Sequence, residues 1–232
     1  MGNNYYNEYF YKKDRKTSAI ETLIIINVVI FILTYLPDYL RISRAPLNFI
    51  TILFALNINF PNNIPSVNNG AYWQILTSMF LHGNLFHILF NMYGLYIFGK
   101  PINKMWGDLK FYLFYLMCGI CANILSFIFF YLTKFNPVSL IGASGAVYAI
   151  LLAFAAYFPD TKLLLFFFIP MKVKWAILLF TAIEVFSQIS KSSSNIAHIT
   201  HLFGFLFAYL FLIIFFHIDP IKNMFFKNDN IY

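Results

Sequence analysis

The 232-residue chain is 60% apolar and only 11% charged, where an ordinary soluble domain carries about 25% charged residues, and its mean hydropathy is positive. This excludes a soluble enzyme or soluble binding module and indicates an all-α integral membrane protein that crosses the bilayer several times. The net charge of +7 is spread among short loops and not gathered on one face, so it reads as orientation in the bilayer, with no nucleic-acid partner.

At about 20 apolar residues per crossing, the chain accommodates roughly six or seven spans and no separate soluble domain. Residues 1–18 form a basic N-terminal segment with Lys12, Lys13, Arg15 and Lys16. The first apolar run, Ala19 to Leu36, is too long for a signal peptide, contains Glu21 and Asn27, and lacks a small-residue cleavage site; it is the first span. Leu47 to Phe60 is too short to cross and reads as an interfacial or re-entrant piece, so the first two spans are joined by a long, partly embedded loop. The second span, Gln74 to Gly99, is broken at His82-Gly83-Asn84, which places its crossing part from about Asn84 onward. The third, Leu109 to Leu132, holds Cys118 and Cys121, a lone C-x-x-C with too few sulfurs for a metal site and no βαβ context for redox chemistry. Gly142 to Phe158, Trp175 to Gln188 and Ile196 to His217 complete six spans. Leu163 to Ile169, closed by Pro170, is a second short interfacial or re-entrant candidate. The membrane domain therefore covers 19–217, and 218–232 form a C-terminal tail.

Orientation follows from the basic residues. With the N-terminus inside, Lys12, Lys13, Arg15, Lys16, Lys100, Lys104, Lys110, Lys162, Lys172, Lys174, Lys222 and Lys227 are cytoplasmic, against Arg41, Arg44, Lys134 and Lys191 outside. This bias puts both termini in the cytoplasm. The expected location is multi-pass, in a bacterial cell (inner) membrane.

Several polar groups then share one depth near the outer face. Ser144 lies between glycines in Gly142-Ala-Ser-Gly145 at the outer start of the fourth span, where glycines allow backbone N–H groups and a hydroxyl to converge. His201 lies about five residues, roughly 8 Å, into the sixth span. Serine and histidine are the minimum set for nucleophilic acyl transfer. His87 and Asn91 stack on one face of the second span at this depth, either as bridges between helices or as donors to a developing oxyanion. Coincidence with Ser144 and His201 favours the second reading. Tyr148 is one turn below Ser144 on the same face, where its ring supports the imidazole. The small residues Gly145, Ala149 and Ala153, and Gly204 and Ala208, form ridges that allow two helices to approach closely. Glu184, well inside the fifth span, is either a third member that orients the histidine or a structural hydrogen-bonding group; His198, nearer the surface, is a weaker base candidate.

From Trp73 to Ala208 these residues resemble the rhomboid intramembrane serine proteases. The resemblance is carried by Trp73 followed by His82, then His87 and Asn91, Gly142-Ala-Ser-Gly145 with Tyr148, and His201-x2-Gly204-x3-Ala208. It implies a six-helix rhomboid-like bundle with a Ser144–His201 dyad opening outward and no required carboxylate. His87, Asn91 and the Ser144 amide take the oxyanion roles, His82 that of the structural loop histidine, and Tyr148 that of the stacking tyrosine. Gln74 departs from the family's usual Arg after the tryptophan, Asn103 from the Glu that commonly follows the second helix, and Ala208 from the usual Gly.

The resulting expectation is an endopeptidase that cleaves transmembrane protein substrates near their outer ends, without metal or cofactor. Two rivals are a non-catalytic protein of this fold that captures membrane segments, and a transporter using His87, Asn91, Glu184 and His201. Retention of both Ser144 and His201 argues against the first, and the lack of visible inverted repeats against the second.

Overall fold

A computed structural model describes residues 17–39, 45–165, 168–189 and 196–226. Most of the expected N-terminal segment, the end of the tail, and Arg41, Arg44, Lys191 and Lys227 lie outside the described residues. Helix α1 (Ala19–Tyr39) starts with a reciprocal cap: the Ser18 N–H donates to Glu21, and the Glu21 N–H donates to the Ser18 hydroxyl. Glu21 is thus a helix-start device. The loop that follows folds into α2 (Ala45–Phe54), strand β1 (Leu56–Ile58), a 3-10 turn (Val67–Asn69), α3 (Gln74–Thr77) and a second 3-10 turn (Ser78–Phe80).

The chain is then extended through the anticipated break. Asn84 caps α4 (Leu85–Trp106) by accepting the His87 N–H at 2.8 Å, so the continuous helix begins where His82-Gly83-Asn84 predicts. Helix α5 (Asp108–Leu132) leads to β2 (Val138–Leu140), α6 (Ser144–Tyr157), β3 (Lys162–Leu165), β4 (Ile169–Lys172), α7 (Val173–Ile189), α8 (Ile196–Phe216) and a short α9 (Pro220–Phe225). Among the described residues, Asp108–Leu132 and His198–Phe216 are long and apolar enough to cross a membrane, with shorter apolar helices at Ala19–Tyr35 and Ser144–Tyr157.

The all-α expectation describes the bulk of the chain, with two small strand pairs as exceptions. In the short run that starts at Leu163, Leu163–Leu165 lies in β3 and Ile169 in β4, paired antiparallel. A run that short cannot complete two helical turns, whereas antiparallel pairing satisfies its backbone and tolerates Pro170 at an edge. Likewise, Leu47 to Phe60 divides between α2 and β1. Strand β1 pairs with β2 in the register Leu56↔Leu140 and Ile58↔Val138. That pairing ties the long loop to the segment entering α6.

Helix α6 is the central element. Its residues from Gly145 to Ala156 are buried all round except Tyr148, as expected for a helix apolar on every face. It packs on α4, α5, α8, α7 and α9. At the far end from Ser144, the Trp106 indole donates to the Tyr157 hydroxyl at 2.9 Å and stacks on Phe216. The Asn103 amide donates to Asp108, whose same oxygen accepts the Ala19 N–H, so α1, α4 and α5 meet at one carboxylate.

Candidate active site

Ser144 is the first residue of α6, and the loop before it is fixed from two sides. The Gly142 N–H donates to the Ser78 carbonyl at 2.9 Å, while Ser139 donates to the Asn57 side chain at 2.6 Å. Gly142 has φ +122°, a conformation that disfavours side chains, and a Cβ there would lie 2.6 Å from His87 Nε2. Its backbone therefore passes directly against the His87 ring, with Asn91 Nδ2 next nearest. This brings His87, Asn91, Gly142 and Ser144 to one place.

Both α4 side chains are held as donors. A long contact of 3.5 Å carries the Gly83 N–H to His87 Nδ1, which leaves the ring proton on Nε2, the atom facing Gly142. Asn91 is buried and donates one amide hydrogen to the His87 carbonyl at 2.9 Å. His82 is fully buried at the turn and meets the His87 ring edge-on, with centroids 5.0 Å apart.

Across the bundle, α8 lies closely against α6 with their starts side by side. A Cβ on Gly204 would sit 2.2 Å from the Gly145 carbonyl oxygen, so glycine is required for this approach. His201 Nε2 consequently lies 2.7 Å from Ser144 Oγ, and the Tyr148 ring stacks on the imidazole at 4.3 Å and 9°. An imidazole nitrogen at this distance can take the hydroxyl proton as the oxygen attacks.

Behind the imidazole lies a carboxylate whose two roles the sequence leaves open. Glu184, on α7 and only 4% exposed, lies 3.0 Å from His201 Nδ1. The Tyr148 hydroxyl donates to the same oxygen, and His198 Nδ1 contacts the other. His198 and His201 are three apart on one helix face, which was the available sign that both would reach one partner. Glu184, His198 and His201 also form a potential metal-ligating group. In this arrangement the carboxylate oxygens are engaged by hydrogen bonds to Tyr148 and both rings.

The departures at Gln74, Asn103 and Ala208 have local explanations. Gln74 is fully buried, accepts the Asn57 N–H and donates to carbonyls of Ile52, Leu53 and Pro65; the Trp73 indole donates to Leu53. Asn103 holds Asp108 as described above, and Ala208 packs without exposure. Cys118 and Cys121 are free.

The model of the Rhomboid domain matches residues 69–218. Rhomboid protease GluP of Bacillus subtilis is 35% identical over 85 residues, 37% of this chain and 16% of the relative. Rhomboid-like protein 11, chloroplastic, of Arabidopsis thaliana is 33% identical over 139 residues, covering 60% of this chain and 42% of the relative. Rhomboid-like protease 1 of Toxoplasma gondii is 29% identical over 135 residues, 58% of this chain and 42% of the relative. The matched regions span less than half the length of these relatives.

Proposed function

Because the chain belongs to the rhomboid family, we propose that it is a serine endopeptidase acting on transmembrane segments of other proteins near their outer ends. The observation carrying this reading is the 2.7 Å contact between Ser144 Oγ and His201 Nε2 on two closely packed helices. Protease relatives support the reaction class, and the apolar helices support a membrane location. The six-span topology, the cytoplasmic termini and a bacterial cell membrane belong to the same proposal; glycosylation or protease mapping and fractionation check them.

In the proposed reaction, Ser144 Oγ bonds to the substrate carbonyl carbon as its proton passes to His201 Nε2. The carbonyl oxygen takes up negative charge and is met by His87 Nε2–H, the Asn91 amide and the Ser144 N–H. Collapse breaks the C–N bond, and His201 returns the proton to the departing amine nitrogen. Water then attacks the acyl-enzyme, losing its proton to His201, which hands it to Ser144 Oγ as the acid leaves. A helical substrate carbonyl is hydrogen-bonded and shielded, so substrates carry helix-weakening residues such as Gly, Pro or Ser near the cut.

No metal or cofactor enters this scheme. Depth agrees with it: the 14 residues of α6 span about 21 Å against a hydrocarbon core of about 30 Å. If its inner end reaches the interface, Ser144 lies below the outer surface, where water must enter from outside.

The test is turnover of a model transmembrane substrate by purified protein, together with labelling by a serine-directed fluorophosphonate. Ser144→Ala and His201→Ala each abolish turnover, and the double variant is no worse than either, because the two residues act as a unit. Appreciable turnover by Ser144→Ala would sink the serine mechanism.

A further inference from the structure

Resting on that reading, we propose that Glu184 is a positioning residue of the reaction, making Ser144, His201 and Glu184 a membrane-embedded triad backed by Tyr148. Four observations converge on its carboxylate. One Glu184 oxygen lies 3.0 Å from His201 Nδ1 while the opposite ring nitrogen lies 2.7 Å from Ser144 Oγ. Tyr148, whose ring stacks on His201, donates its hydroxyl to the same Glu184 oxygen. His198 occupies the other oxygen. The carboxylate is almost fully enclosed, at 4% exposure.

The chemistry follows from the tautomer. For Nε2 to receive the Ser144 proton, the neutral ring must carry its hydrogen on Nδ1, and a carboxylate that only accepts hydrogen bonds selects that form. When the proton arrives at Nε2, the ring becomes a cation whose facing group on α7 is the Glu184 anion. Among the described residues, the other groups around it are His198 on its own helix, Tyr148 and Ser144 on α6, and His87 on α4. Glu184 is the one anionic group among them. Protons move only between Ser144, His201 and substrate; Glu184 keeps its charge throughout, as the carboxylate does in soluble triads.

A structural role would explain burial and hydrogen bonding, but not the alignment of carboxylate, ring and hydroxyl with the ring's rotation fixed by a tyrosine bonded to that carboxylate. Exchange of the carboxylate for an amide costs soluble triads about 10⁴ in kcat through the wrong tautomer. Here Tyr148 still stacks on the ring, so the loss is smaller than that limit.

The experiment compares wild type with Glu184→Gln in detergent, measuring kcat, KM and Tm on one substrate. The expected result is a fall in kcat of about tenfold or more, with KM and Tm nearly unchanged. A smaller fall, or a loss expressed through KM and Tm instead, overturns the proposal. Should Glu184→Gln fail to fold, the wild-type proton NMR spectrum decides. A downfield imidazole N–H resonance that His201→Ala removes and His198→Ala retains supports the alignment, and its absence overturns it. Full activity in Glu184→Gln together with an inactive Ser144→Ala removes only the carboxylate role; activity in Ser144→Ala removes the serine-protease reading itself.

Discussion

Asn91 has two amide hydrogens, and one is committed to the His87 carbonyl within α4. That bond fixes the carboxamide beside Gly142, where an added Cβ would lie 3.9 Å from Asn91 Nδ2, and the proposed oxyanion role uses the second hydrogen as a preorganised donor. A donor of this type acts on the transition state and not on substrate capture. Asn91→Ala is accordingly expected to lower kcat with little change in KM. The loss of one oxyanion donor is about 10²–10³ in kcat, or less where His87 and the Ser144 amide still hold the charge. A raised KM at constant kcat in steady-state assays would refute the assignment. His82 works differently: it is buried at the turn and meets the His87 ring edge-on. His82→Ala leaves a cavity under α4, and thermal melting is expected to reveal a loss of about 2–4 kcal/mol.

At the scale of elements, the decisive contact is the passage of Gly204 over the Gly145 carbonyl. A methyl group at 2.2 Å from a backbone oxygen cannot be absorbed by rotating a side chain; α8 must move away from α6. Gly204→Ala is therefore expected to destabilise the protein by about 1–3 kcal/mol and, more tellingly, to slow fluorophosphonate labelling of Ser144, because the His201 contact opens with the helices. Normal labelling at reduced Tm would separate packing from alignment and contradict this coupling. The small-residue ridge was legible in the sequence because helix periodicity turns spacing into a face. The β3–β4 hairpin was not, since a seven-residue apolar run carries too few periods to distinguish strand from helix. Nor was the anchoring role of Gln74, whose bonds reach residues 9 to 22 positions earlier. Gln74→Ala leaves several of those partners unpaired and should lower Tm through the loop, by about 1–3 kcal/mol.

Electrostatics at the loop between α6 and α7 also belongs to this scale. Lys172 and Lys174 both bond Asp160, at 2.8 and 3.0 Å, and hold its carboxyl down to about 2, chiefly through the Lys172 hydrogen bond. A depressed carboxylate contributes above its unfolded value of 3.8 and loses that contribution as pH falls through about 2. The group is exposed, so the effect on stability is small. Asp160→Asn is expected to leave the pH profile of proteolysis near neutrality unchanged, which a buffered activity series checks.

For the whole molecule, sequence and structure speak to different things. The order and approximate limits of the apolar runs, the break before Asn84, and the gathering of Ser144, His201, His87 and Asn91 at one end of the helices were all readable, since lipid constrains length and polarity strongly. The partnership of Glu184 with His201 was readable only as one of two alternatives, because residues 17 positions apart on separate helices have no fixed relation in the sequence. Sidedness rests on charge and the site together. The proposed orientation puts twelve basic residues on one side and four on the other, with Ser144 and the α8 end carrying His201 toward the outer compartment. A cysteine introduced by Ser144→Cys, with Cys118 and Cys121 first replaced, is then expected to react with an impermeant thiol reagent added to intact cells or right-side-out vesicles. Water must reach this position for the acyl-enzyme to be hydrolysed, so the reagent tests access as well as orientation. Reaction only after the inner face is exposed would invert the topology, and the portions released from substrates would then be the inner ones.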